Sequence, residues 1–188
     1  AYRGGQCAAT ILNGNYPEAI NCYQQFISLD KSSDYLPEAY YRTGISYLAL
    51  TNYQESEKYL MKALDNPSRY NRHSFELLTY QALAQLYQAQ NKYKQSIYYY
   101  RKTIKHNNKE LSLSYLYYNI GICLMRNGQY PEGKRYLETA LESLTTNETD
   151  DKLREHIQER LSMPPRTFTV QFGKYQIKDN AINYQKEL

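Results

Sequence analysis

The chain has 188 residues, 41% of them apolar, which is enough for one packed domain with a small appendage and argues against wholesale disorder. Its aromatic content is lopsided, with 23 tyrosines, 4 phenylalanines and no tryptophan, and tyrosine's apolar body and polar tip suit a thin structure whose core is never far from water. The net charge of +4 is mild, and no run approaches the roughly 18 apolar residues of a membrane helix.

The chain opens at Ala1 without an initiator methionine or a signal-like segment, so either a leader has been removed or this is an excised piece. A first helix is predicted around Arg3-Gly4-Gly5-Gln6-Cys7, but the adjacent glycines together cost about 2 kcal/mol of helix propensity, so it is expected to fray or to lean on an upstream element. From Gly14 the segment GNYPEAINCYQQFISLD reads as a second helix. Three further segments align with it: TNYQESEKYLMKALDNP from Thr51, NKYKQSIYYYRKTIKHN from Asn91 and GQYPEGKRYLETALESL from Gly128. Their shared tyrosines, Tyr16, Tyr53, Tyr93 and Tyr130, lie 37, 40 and 37 residues apart. A small residue follows three positions later (Ala19, Ser56, Ser96, Gly133) and a bulky one four beyond that (Tyr23, Leu60, Tyr100, Leu137).

Ahead of the last three shared tyrosines runs another helical pattern, Tyr40-x-x-Thr43-Gly44-x-x-Tyr47, Tyr80-x-x-Leu83-Ala84-x-x-Tyr87 and Tyr117-x-x-Ile120-Gly121-x-x-Leu124. Apolar residues three and four apart mark one helix face, and the small central residue lets a neighbouring helix approach. Polar turns (Thr51-Asn52, Gln90-Asn91-Lys92, Asn127-Gly128-Gln129) join the two patterns, so each unit is a helix–turn–helix hairpin. The core is expected in tyrosines such as Tyr16, Tyr40, Tyr47 and Tyr80, with Tyr93 and Tyr130 filling the junctions of their hairpins. Asp150–Met163 then forms a charged amphipathic helix suited to capping the array, with acids early and Arg160 late. Pro164-Pro165 stops it. Residues 167–173 alternate as a strand, and a short helix runs from Asp179 to Leu188.

The hairpins resemble the tetratricopeptide repeat, with tyrosine in the slot its consensus gives to tryptophan. The resemblance covers about residues 1–143 and implies an all-α, right-handed superhelix of antiparallel helix hairpins. The repeats fall at about 1–30, 37–67, 77–107 and 114–143, with a capping helix over 150–163 and a linker at 164–166. The chain departs from the family in lacking or displacing the closing proline and in exceeding the period of roughly 34 residues. The surplus reads as longer connections or extended second helices around Lys31–Leu36, Pro67–Phe75 and Asn107–Leu113.

The last segment, 167–188, resembles the opening of a SPOR domain, the bacterial module that binds peptidoglycan glycan strands. The match lies in Val170-Gln171-Phe172-Gly173-Lys174-Tyr175, then Asn180-Ala181 and Leu188, with Tyr184 where leucine is usual. It covers the first strand and helix of that fold. If it holds, Gln171 and Gly173 share the open strand face where a glycan would lie; the alternative is a strand–helix tail packing on the repeats.

Chemistry is not written into the chain. No HExxH, P-loop, GxGxxG or nucleophile elbow occurs, and His73, His106 and His156 sit in separate segments, so no enzyme, metal or cofactor is expected. Cys7, Cys22 and Cys123 form no CxxC pair and are expected to be three small buried apolar residues that fix no redox compartment.

What remains is a surface. In tetratricopeptide arrays the first helices of successive repeats line a concave groove, and counting by the repeat's own positions that groove offers Tyr41, Ile45, Leu48, Gln81, Gln85, Gln88, Tyr118, Ile122 and Met125. Three glutamine amides would pair with a peptide backbone while tyrosines and aliphatics take its side chains. The lysine–asparagine clamp for chaperone carboxylates is missing. The expectation is a non-catalytic adaptor of the bacterial cell envelope, periplasmic, holding a protein in its groove and peptidoglycan through its tail. The alternative is a cytoplasmic scaffold whose tail only caps the array. A third reading, nucleic acid or anionic lipid on Arg69, Arg72, Lys92, Lys94, Arg101 and Lys102, rests on the basic stretch 66–110, which lacks the accompanying motifs of nucleic-acid binders.

Overall fold

The computed structural model describes residue 7 and residues 10–66, 72–107, 111–144 and 148–163, and all regular structure among them is helical. After a leading helix that includes Cys7 and residues 10–12 come eight more. They are α1 (Tyr16–Leu29), α2 (Leu36–Ala49), α3 (Tyr53–Asp65), α4 (Arg72–Ala89), α5 (Tyr93–His106), α6 (Leu113–Arg126), α7 (Tyr130–Glu142) and α8 (Glu148–Ser162). The strand and helix expected after Pro164 lie outside the described residues.

Each hairpin turn is built the same way. Gly14, Thr51, Asn91 and Gly128 occupy the same register position, and all four have positive φ (73°, 58°, 59° and 83°). The following N–H reaches back five residues, from Asn15 to Thr10, Asn52 to Tyr47, Lys92 to Tyr87 and Gln129 to Leu124, over 2.8–2.9 Å. The left-handed residue itself donates to the carbonyl three back, as Thr51 does to Leu48. This is the Schellman closure, which satisfies the last carbonyls of one helix while turning the chain into the next. On the far side, Asn15 and Asn52 accept from the N–H of Glu18 and Glu55, capping α1 and α3. Pro17, Pro37 and Pro131 stand in the first turns of α1, α2 and α7, where a missing N–H costs nothing.

The small-then-bulky pattern of the second helices places their core. Ala19, Ser56, Ser96 and Gly133 are buried, and Tyr23, Leu60, Tyr100 and Leu137 are fully so. A Cβ on Gly44 would come within 2.7 Å of Leu60, and one on Gly121 within 2.9 Å of Leu137 and 3.0 Å of the Gly133 carbonyl oxygen. These glycines mark where the two helices of a hairpin cross most closely. The shared tyrosines behave differently from expectation. Tyr16, Tyr53, Tyr93 and Tyr130 begin their helices and are only half-buried, and the Tyr93 hydroxyl donates to the exposed Asn91 side chain at 2.6 Å. The junction belongs instead to Tyr100 and Leu137, one turn and more further in. The three-residue surplus of the 40-residue spacing also differs from expectation: α4 has 18 residues where α2 and α6 have 14, so a first helix, not a second one, is extended.

The chain forms two compact units, one made of the helices up to Leu86 and the other starting at Tyr87, within α4. In the first, α1 packs on α2 and α2 on α3; in the second, α5 packs on α6, α6 on α7 and α7 on α8.

Candidate functional site

In the first unit, the groove positions of α2 present Tyr41 and Ile45 half-exposed, whereas Leu48 is buried. Tyr41 lies tilted against Phe75 of α4, ring centroids 6.2 Å apart, and burial pushes its phenol up to about 12, with Arg42 pulling the other way. Arg42 pairs with Glu38 one turn earlier at 2.6 Å, with both side chains largely covered. Burial opposes the Arg42 charge, but Tyr23, Glu38 and Tyr41 more than offset it, so the guanidinium is held more firmly protonated than usual. The Tyr23 hydroxyl is buried in the same neighbourhood with no hydrogen-bond partner among the described residues. On α4, Gln81 is buried and Gln85 half-exposed.

The second unit departs more sharply from the expected groove. Gln88 is half-exposed, but its amide oxygen already accepts from the buried Tyr100 hydroxyl at 2.9 Å. Tyr118, Ile122 and Met125 are 8, 7 and 6% exposed, in one cluster with Leu137 and Ala140 of α7 and Ile157 of α8, flanked by Leu153 and Leu161. The cause is α8, which lays the apolar stripe of Leu153, Ile157 and Leu161 over this cluster. Arg160 of α8 also hydrogen-bonds Tyr118. Of the nine expected groove residues, therefore, Tyr41, Ile45, Gln85 and Gln88 reach solvent, while Leu48, Gln81, Tyr118, Ile122 and Met125 are buried. Gln171 and Gly173 lie outside the described residues.

A second recurring feature lies on the tyrosines. In the first unit Tyr47 and Tyr59 stack at 5.5 Å and Tyr40 tilts against Tyr59 at 6.3 Å. The Gln24 amide donates to both the Tyr47 and Tyr59 hydroxyls, at 3.1 and 2.9 Å, tying α1 to α2 and α3. Lys62 lies over Tyr40 and Tyr59, and Lys58 over Tyr59. The second unit repeats this 40 residues on: Tyr87 and Tyr99 stack at 5.5 Å, Lys92 lies over Tyr87 and Lys102 over the exposed Tyr98. Tyr117 meets Tyr136 in the same way as Tyr40 meets Tyr59. Tyr59, Tyr99 and Tyr136, absent from the expected core, recur in the sequence six residues after Tyr53, Tyr93 and Tyr130. Three of the six basic residues serve local partners: Lys92 and Lys102 sit on rings and Arg101 pairs with Glu132 at 3.0 Å. The side chains of Arg69 and Arg72 lie outside the described residues.

Two stretches, 35–109 and 114–143, match the family described as tetratricopeptide repeat, and together they span more than half of the chain. The chain belongs to the tetratricopeptide-repeat family. Among solved structures it is similar to a MamA crystal structure at 25% identity, with 71% of each chain covered and a TM-score of 0.60. A MamA RS-1 double mutant, at 14% identity, covers 97% of this chain and 92% of its own with a TM-score of 0.65. YrrB, described as a tetratricopeptide-repeat protein with an unusual peptide-binding site, is 16% identical over 96% of this chain and 84% of its own, with a TM-score of 0.58. No curated protein matches the chain in sequence. Tetratricopeptide-repeat proteins are protein-interaction scaffolds, and no enzyme family is indicated. Among the described residues no helix is long and apolar enough to cross a membrane, and no cluster of His, Cys, Asp or Glu is placed to hold a metal ion.

Proposed function

We propose that this tetratricopeptide-repeat protein is a non-catalytic adaptor of the bacterial cell envelope that holds an extended peptide against α2 and α4 of its first unit. The observation that carries the reading is the Tyr41–Phe75 pair, two half-exposed rings on neighbouring helices, with Ile45 one turn from Tyr41 and the Arg42–Glu38 pair at its side. Aromatic anchors backed by a firm core hold side chains at low entropic cost, and the Gln85 amide, also on α4, is suited to a backbone group. The peptide-binding description of YrrB supports the same class of ligand. In this reading the other glutamine with a solvent-facing side chain, Gln88, serves Tyr100 first and a ligand only secondarily.

The envelope part of the proposal rests on two things. The segment 167–188 resembles the start of a glycan-binding SPOR module, in which Gln171 and Gly173 would meet the glycan. The Cys7–Cys22 disulfide suits an oxidising compartment such as the periplasm. The test has two arms. Once a peptide ligand is selected from a display library, Tyr41→Ala with Gln85→Ala is expected to weaken it at least about tenfold, with the melting temperature nearly kept; full-strength binding would move the site elsewhere. Separately, full-length protein is expected to sediment with purified peptidoglycan sacculi. Protein left in the supernatant would favour the plain scaffold whose tail caps the array.

A further inference from the structure

The first hairpin departs from the other three at one crossing. In the repeat register Cys7 stands where Gly44, Ala84 and Gly121 stand, and Cys22 where Tyr59, Tyr99 and Tyr136 stand. At that crossing the later hairpins set a residue without a large side chain against the helix that carries the tyrosine, and the tyrosine ring stacks or tilts on its neighbours. In the first hairpin both positions are cysteine. Their Cα atoms are 5.6 Å apart and their sulfurs are bonded, closing a separation of 15 residues between the leading helix and α1. This corrects the expectation of three free cysteines: two cysteines carried on helices of one hairpin pair through space, a contact that no short motif announces. Only Cys123 is free, buried beside Ser96, and burial pushes its thiol up to about 11, so it offers almost no thiolate.

We propose that the Cys7–Cys22 bond is a redox latch that holds the leading helix closed over the first hairpin's core. With Cys22 in the ring's place, the cross-link stands where Tyr59, Tyr99 and Tyr136 stand in the later hairpins. What the leading helix does cover is a compact cluster of Cys7, Ile11, Ala19, Tyr23 and Ala39, with Phe26 and Ile27 against it. A short helix in water is marginal without such support. Opening follows ordinary thiol–disulfide exchange. A thiolate of an external dithiol attacks the Cys22 sulfur, the less buried of the two, and the Cys7 thiolate leaves and takes up a proton. The reductant's second thiolate then displaces Cys22, so two electrons and two protons pass to the protein and the reductant closes its own disulfide. A disulfide-bearing oxidant reverses each step.

The experiment uses the whole chain, oxidised and reduced by a small dithiol. Alkylation after denaturation is expected to label one cysteine in the oxidised protein and three in the reduced. Hydrogen exchange at residues 10–12 is expected to accelerate on the order of 100-fold on reduction, which is the loop-closure effect of a cross-link of this span. Exchange in α6 and α7 is expected to stay as it was. The double variant Cys7→Gly, Cys22→Tyr, which installs the pair found in the second hairpin, is expected to protect residues 10–12 in both conditions and to ignore the dithiol. Unchanged exchange on reduction of the native chain, or three alkylated cysteines in protein made under oxidising conditions, would overturn the latch. If the double variant exchanged as fast as the reduced chain, the equivalence of the two packing devices would fall.

Discussion

Gly133→Ala is the sharpest test of how the last hairpin is assembled. A Cβ built on Gly133 would lie 2.6 Å from the Met125 Cγ, 2.8 Å from the Gly121 carbonyl oxygen and 3.0 Å from the Met125 backbone nitrogen. The methionine side chain can swing aside, but the carbonyl oxygen and the amide nitrogen belong to the α6 backbone and cannot move without separating the helices. Overpacking of this kind costs about 3 kcal/mol at the upper end of its usual range. Alanine returns about 1 kcal/mol through helix propensity. The balance is a loss of about 2 kcal/mol, which for a chain of this size lowers the melting temperature by about 4–8 °C. Urea unfolding followed by circular dichroism measures the free energy, and a thermal scan the shift. The comparison that matters is Ala19, which fills the same register position, fully buried, in the first hairpin. A variant as stable as the parent, or more so, would refute the claim that α6 and α7 touch backbone to backbone at this point.

Thr51→Gly is expected to stabilise the protein by about 0.5–1 kcal/mol, because a β-branched residue at φ 58° carries a strain that glycine does not; a lower urea midpoint would contradict this. Tyr100→Ala is expected to cost about 3–5 kcal/mol, since the ring is fully buried and its hydroxyl serves Gln88. Tyr93→Ala, at a half-buried helix start, is expected to cost less than half of that in the same titration. Stability is expected to fall in alkali. Burial holds Tyr23, Tyr41 and Tyr100 above the ordinary phenol value of 10.0, Tyr41 at about 12. The folded state thus keeps protons that the unfolded chain releases, so the stability linked to them is intact below pH 10 and drains away as the pH climbs toward the folded values. A urea midpoint that does not move between pH 9 and pH 11 would refute the assignment.

Much of this architecture was legible because each hairpin must bring the same atoms together. The run of Ala19, Ser56, Ser96 and Gly133, followed by Tyr23, Leu60, Tyr100 and Leu137, could be read from spacing alone, since close crossing demands a small residue and the core a large one. The turns were visible as polar breaks, but their left-handed residue was hidden where it was Thr51 or Asn91 and not glycine. The groove was the least legible part. Tyr118, Ile122 and Met125 have the composition of a binding surface, and it is their packing against α7 and α8 that buries them. Composition cannot tell a patch that awaits a ligand from one that awaits α8. The disulfide was hidden for a related reason, because Cys7 and Cys22 meet only once both helices are folded.

The uniform turns also say where this sequence tolerates changes in length. From Tyr40, Tyr80 and Tyr117 to Tyr53, Tyr93 and Tyr130 the distance is 13 residues every time, whereas from Tyr16, Tyr53 and Tyr93 to the next such residue it is 24, 27 and 24. A turn closed by a six-residue hydrogen bond has no slack, so one added residue would rotate the second helix by about 100° and carry its packed face away from the first. The interval that holds the joints has already absorbed three extra residues, taken up where α4 begins early at Arg72. Epitope tags, fluorescent fusions and exchanged repeats therefore belong at those joints, and a library that varies hairpins as whole cassettes would keep each turn and each close helix crossing within its own piece.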